Sequence, residues 1–61
     1  MIHTHYVYDG ARIERVFEEV DSEELPDYPE GSRRNFEDFE GIFELRRWSA
    51  NDRMGWWERA D

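Results

Sequence analysis

The sequence predicts a small α+β domain, an antiparallel sheet of about four strands in two hairpins with one short helix between them. Three observations carry this expectation. Asp9-Gly10 stands between apolar residues, as a two-residue hairpin turn does. Residues 41–48 and 53–59, rich in apolar and aromatic side chains, flank the polar stretch Ser49-Ala50-Asn51-Asp52 as the strands of a second hairpin do. Between them, Ser32 and Gly41 sit where a helix of about two turns would place its N-cap and its C′ glycine.

The first hairpin follows from the turn. Pairing outward from Asp9-Gly10 sets Tyr8 opposite Ala11, Tyr6 opposite Ile13, Thr4 opposite Arg15 and Ile2 opposite Phe17. That register places Ile2, Tyr6, Tyr8, Ala11, Ile13 and Phe17 on one face and His3, His5, Val7, Arg12, Glu14 and Val16 on the other. A helical alternative exists for residues 11–20, because Ile13, Val16, Phe17 and Val20 also fit helical spacing behind an Asp9 cap. The turn and the β-branched and aromatic content favour the strands. Residues 21–31 read as a loop, with Pro26 and Pro29 bracketing Asp27-Tyr28 and one turn beginning at Ser22.

The helix predicted from Ser32 to Glu40 turns Phe36 and Phe39 toward the core. Its charges oppose the helix dipole, with Arg33 and Arg34 at the positive end and Asp38 and Glu40 at the negative end. Residues 41–48 and 53–59 form the second predicted hairpin, around Ser49-Ala50-Asn51-Asp52. Strict alternation puts Phe43, Leu45, Met54 and Trp56 on one face and Trp48 and Trp57 on the other.

Sixty-one residues allow one domain, taken as 1–61. A chain of this size buries only about 60% of its unfolded surface, and without cysteine no disulfide or thiolate–metal site supports it. Ten aromatic residues are the compensation, each ring burying roughly 150–250 Å². Sixteen acids face eight bases, all arginine, for a formal charge of −8. That balance disfavours direct binding to nucleic acid or an anionic membrane and favours a basic protein partner. No apolar run approaches the about 18 residues of a membrane span. The start of the chain does not read as a signal peptide, so a cytoplasmic location is expected.

Catalytic motifs are absent. There is no glycine-rich phosphate loop, nucleophile elbow, Cys-His arrangement or EF-hand spacing. Carboxylates are so abundant that no acid–base pair stands out, and the chain has little room for a substrate cleft, so no catalytic residue and no cofactor are expected. His3 and His5 share one side of a strand, a spacing that metal sites use. No further ligands accompany them, and pairing of His5 with Glu14 is the plainer reading, so no metal is expected. Arg46-Arg47-Trp48 and Trp56-Trp57 with Arg59 have the composition of a single-strand stacking platform. At a charge of −8, core packing and arginine stacking on tryptophan explain them better.

The acidic tract is the most informative feature. Between Glu18 and Glu30 stand seven carboxylates and no base. Residues expected to contact a partner are Glu14, Glu18, Glu19, Asp21, Glu23, Glu24, Asp27 and Glu30, joined by Glu37, Asp38 and Glu40. Tyr28, Trp48 and Trp57 are the candidate aromatic anchors. Most of these acids fall off the expected apolar face, so folding is not expected to need them. Carboxylates on one side of a strand recur about every 6.6 Å and duplex DNA carries a charge every ~1.7 Å of axis, so the tract approximates a phosphate patchwork without matching it atom for atom.

In overall character, tiny, cysteine-free, strongly acidic and aromatic-rich, the chain resembles the phage-encoded anti-CRISPR proteins of the DNA-mimic kind. The resemblance rests on no diagnostic motif and transfers no residue. It implies a non-enzymatic inhibitor acting in a host cell's cytoplasm, with a basic DNA-binding protein as its partner. The partner it implies is a type I Cas effector subunit, of subtype I-C foremost, with the DNA- and PAM-reading cleft as the site blocked. The alternative is an antitoxin or a regulator-binding protein that recognises its partner through Tyr28, Trp48, Trp56 and Trp57.

Overall fold

The structure, a computed structural model, describes residues 2–21 and 28–61. Among these residues the chain is all-β, not α+β. Strands β1 (Ile2–Asp9), β2 (Arg12–Val20), β3 (Arg33–Asn35), β4 (Ile42–Ser49) and β5 (Met54–Arg59) form one antiparallel sheet in the order β1-β2-β5-β4-β3. No helix of the described residues is long and apolar enough to cross a membrane.

The predicted helix is replaced by β3 and a tight loop. Arg33, Arg34 and Asn35 pair with Glu44, Phe43 and Ile42, and residues 36–41 turn the chain back. The adverse dipole pattern is the physical reason. As a strand, Arg33 reaches Glu44 at 3.3 Å and Arg34 reaches Glu18, contacts that a helix would forfeit. The sequence reading was right that Phe36 and Phe39 pack on the core, but wrong about the element presenting them. The helical alternative for residues 11–20 also fails, since that segment is β2. The turn expected at Ser22 lies outside the described residues.

The first hairpin forms, one residue out of place. Asp9 pairs with Arg12, leaving Gly10-Ala11 as the loop, with Gly10 at φ +66° and Ala11 not in the positive region. A type II′ turn needs positive φ only at its first central position, so glycine there suffices. Beyond the turn, Tyr8 faces Ile13 while Val7 faces Arg15, which makes Glu14 the extra residue of a β-bulge. The combined shift sets Tyr6 opposite Val16 and Ile2 opposite Val20. Val16 therefore belongs to the core and Phe17 to the opposite face, reversing the expected assignment.

The second hairpin closes around residues 50–53. Ser49 Oγ donates to Asp52 at 3.1 Å and accepts from the Asp52 amide, and Arg53 takes φ +54°. A bulge between Leu45 and Arg47 inserts Arg46, so Leu45 and Trp48 share a face although three residues apart. Leu45 lies opposite Trp57, and Arg47 opposite Trp56. Trp57 thus joins Phe43 and Leu45 in the core, while Trp56 and Met54 take the other face, contrary to strict alternation.

Val16, Val20, Phe43, Leu45 and Trp57 are the buried apolar core. Burying each large side chain contributes roughly 1.5–3 kcal/mol relative to exposure. Tyr28, Phe36, Phe39, Trp48 and Ile13 pack against this centre. Phe36 stacks on Phe39 at 5.2 Å and meets Phe43 and Trp57 edge-on. One face of the sheet is therefore covered by the segments flanking β3, residues 28–32 and 36–41, and among the described residues no segment covers the other.

Candidate functional site

A buried ion pair ties β3 to β2 across the covered face of the sheet. Glu18 lies on β2 between Val16 and Val20 on the same side, and is only 2% exposed. Its Oε1 accepts a hydrogen bond from Trp57 Nε1 at 2.7 Å, and its Oε2 accepts one from Arg34 Nη2 at 2.5 Å. Arg34 also donates to the Tyr28 hydroxyl at 3.1 Å, and its guanidinium carbon lies 4.0 Å from the Phe36 ring centre and 4.6 Å from that of Trp57. Gly55 lies between Glu18 and Trp48 in the cross-strand row. A Cβ there would come within 3.2 Å of Trp48 and 3.5 Å of Trp57 Nε1. A buried carboxylate is tolerable only when paired and hydrogen-bonded, and here both conditions hold. Glu18 is therefore a structural residue, against the expectation that it meets a partner and that folding can do without it. The signal in the sequence was the Val16-x-Glu18-x-Val20 alternation, which puts a carboxylate in an apolar row; Arg34 was the counter-ion that sequence reasoning missed.

The open face concentrates arginine. Arg33, Glu44, Glu58, Arg15 and Val7 form one row across all five strands, and Arg47, Trp56, Phe17 and His5 form the next. Arg46 lies 3.7 Å from both Glu44 and Glu58, and Arg47 stacks 4.9 Å from Trp56. Trp56 meets Phe17 edge-on at 6.4 Å beside a groove of about 360 Å³ between Arg15 and Arg46. His5 Nε2 lies 3.7 Å from Glu19, not Glu14, and His3 lies 4.0 Å from Asp21. No group of three or more potential metal-ligating side chains occurs among the described residues.

The uncompensated acids lie elsewhere. Among the described residues no cation pairs with Glu30, Glu37, Asp38 or Glu40, all exposed on the cover. Of the other expected partner contacts, Glu14 is half-buried and paired with Arg12 at 3.1 Å, while Glu19 and Asp21 are exposed beside their histidines. Glu23, Glu24 and Asp27 lie outside the described residues. Trp57 is buried, and Tyr28 of the cover packs edge-on against Trp48 of β4 at 5.9 Å, so these three rings serve the core. Trp56 is the tryptophan turned to the open face.

Two clefts flank the Tyr6–Phe39 contact between β1 and the 36–41 loop. The larger, about 750 Å³, runs from Tyr8 and Arg12 to Asp38, Glu40 and Arg59. At its end Arg59 donates to the Ile13 carbonyl at 2.9 Å and to Asp61 at 3.1 Å. Desolvation pushes the Asp61 carboxyl up, but the hydrogen bond and charge of Arg59, with backbone amides, outweigh it and hold the group below the ordinary aspartate value. The smaller cleft, about 430 Å³, is lined by Ile2, Thr4, Tyr6, Glu37 and Asp38. In comparisons with protein families, curated proteins and solved structures, nothing matches this chain.

Proposed function

We propose that this protein is a non-enzymatic inhibitor of the anti-CRISPR kind, acting in the cytoplasm of a host cell. It would bind the basic DNA-reading groove of a type I Cas effector and exclude DNA by charge. The observation that supports this reading is the segregation of charge between the two faces. Arginines crowd the open face, where most meet a carboxylate or a ring, while the cover presents Glu30, Glu37, Asp38 and Glu40, none of which forms an ion pair among the described residues. Uncompensated carboxylates gathered on the cover of a small domain repel one another, and a basic groove relieves that repulsion on binding. Charge complementarity of this sort accelerates association and makes it salt-dependent.

The test is charge reversal on the cover. Glu37→Lys, Asp38→Lys and Glu40→Lys together are expected to abolish binding to a purified type I effector and its inhibition in a DNA-binding assay, with the urea midpoint little changed. Reversing Glu23, Glu24 and Asp27 tests the sequence tract in the same way. Inhibition surviving both triple reversals refutes the mimicry. The aromatic alternative now centres on Trp56, half-exposed beside Phe17. Binding that persists at high salt and fails in Trp56→Ala would favour it.

A further inference from the structure

The two edges of the sheet differ. β3, at one edge, has three residues, two of them arginine, which suits an edge that is not to be paired. β1, at the other, has eight residues, with no proline, lysine or arginine and one carboxylate, Asp9. Its outer row of backbone N–H and C=O groups faces no strand among the described residues. Ile2, Tyr6 and Tyr8, exposed by 45%, 38% and 59%, all lie on its covered side, and Ile42 is the other exposed large apolar residue among those described. An edge strand that is long, apolar and nearly uncharged is a template for another strand.

We infer that β1 pairs antiparallel with the β1 of a second copy, joining two sheets into one of ten strands. A two-fold axis perpendicular to the sheet keeps both covers on the same side. Centred on His5, the register sets Ile2 opposite Tyr8 and Thr4 opposite Tyr6, using every residue from 2 to 8 and closing the exposed apolar strip on itself. Self-complementarity selects a second copy at this edge. Ile2, Tyr6 and Tyr8 meet the same strip of the other chain. Residues 2–8 carry no carboxylate to oppose the pairing, although each copy bears −8. Glu37 and Asp38 nearby leave a residual repulsion that salt screens. Salt therefore strengthens this association, whereas it weakens binding to a basic groove, so the two ideas fail separately.

The absence of cysteine makes the test direct. His5→Cys lies on the proposed axis, where facing Cα atoms are about 4.5–5.5 Å apart, within reach of a disulfide. His3→Cys, two residues off the axis, places the same atoms about 13 Å apart, out of reach. Both histidines are exposed, so both variants should fold, which near-ultraviolet circular dichroism checks. Under copper–phenanthroline oxidation the His5→Cys chain is expected to form a covalent dimer and the His3→Cys chain to remain single. In sedimentation equilibrium the unmodified chain is expected to rise from one mass toward twice that mass with concentration, more steeply as salt is added. The folded Ile2→Lys/Tyr8→Lys variant is expected to stay a single chain. An unmodified chain that is monomeric at every concentration and salt overturns the inference, as do equal cross-linking at positions 3 and 5 or a lysine variant that still dimerises.

Discussion

Removing the Glu18 carboxylate should come close to unfolding this protein. Glu18→Leu takes the acceptor from Trp57 Nε1 and the counter-ion from Arg34 in one step, while preserving bulk. Breaking a buried pair by deleting one partner costs about 3–5 kcal/mol. Arg34 is about a third exposed, and solvent reaching its guanidinium places the expected loss near the lower end, about 3 kcal/mol. A domain of 61 residues has roughly 3–9 kcal/mol to lose, at about 0.05–0.15 kcal/mol per residue. Glu18→Gln keeps an acceptor for the indole and surrenders only the charge, so about 1–2 kcal/mol is expected. Arg34→Met alone strands the carboxylate in the core and should be as damaging as Glu18→Leu. The double variant Glu18→Leu/Arg34→Met leaves no unpaired charge and should be more stable than either single change. Urea unfolding followed by tryptophan emission, with near-ultraviolet circular dichroism for packing, measures all four. A Glu18→Leu cost under about 1 kcal/mol, or a double variant whose loss equals the sum of the singles, would refute the buried pair.

Gly41 has φ +122°, and a Cβ there would clash with the Arg59 guanidinium. Gly41→Ala should cost about 1–3 kcal/mol, and Gly31→Ala, with open space at φ +86°, less; urea midpoints compare them. Gly55→Ala crowds Trp48 and the Glu18–Trp57 bond and should cost about 1–3 kcal/mol with a change in the near-ultraviolet spectrum. Because the Asp61 carboxyl titrates lower in the fold than in the unfolded chain, its stabilisation is complete above the ordinary aspartate range and is lost as pH falls through the lowered value. Asp61→Asn should therefore flatten the acid limb of stability against pH without changing its alkaline side.

The hairpins were legible because turn chemistry and β-branched content act locally. The faces were harder, because two bulges reset them. Ile13 and Val16 share the core across one bulge, Leu45 and Trp48 across the other, each pair three residues apart. A separation of three on one face is also the mark of a helix, so the bulges imitate helical periodicity, and this is what gave residues 11–20 a helical alternative beside the favoured strand. The predicted Ser32–Glu40 helix failed for a different reason. Glycine and serine at its ends were compatible with caps, but long-range pairing of Arg33 with Glu44 and Arg34 with Glu18 prevailed. In the candidate surface, the exposure of Glu37, Asp38 and Glu40 agrees with the charge pattern. The burial of Glu18 could be reached only by seeing which side of β2 faces inward.

The strand order also governs how the protein comes into being. β5 is synthesised last of the five, yet it lies at the centre of the sheet, between β2 and β4. Until it arrives, the β1–β2 ribbon and the β3–β4 pair have no strand connecting them, and isolated two-stranded ribbons are marginal in water. Trp57, which supplies a donor to Glu18, arrives with it. On the ribosome the domain therefore gathers its core only as its final strand emerges, and a nascent chain stalled before Met54 has hairpins but no sheet.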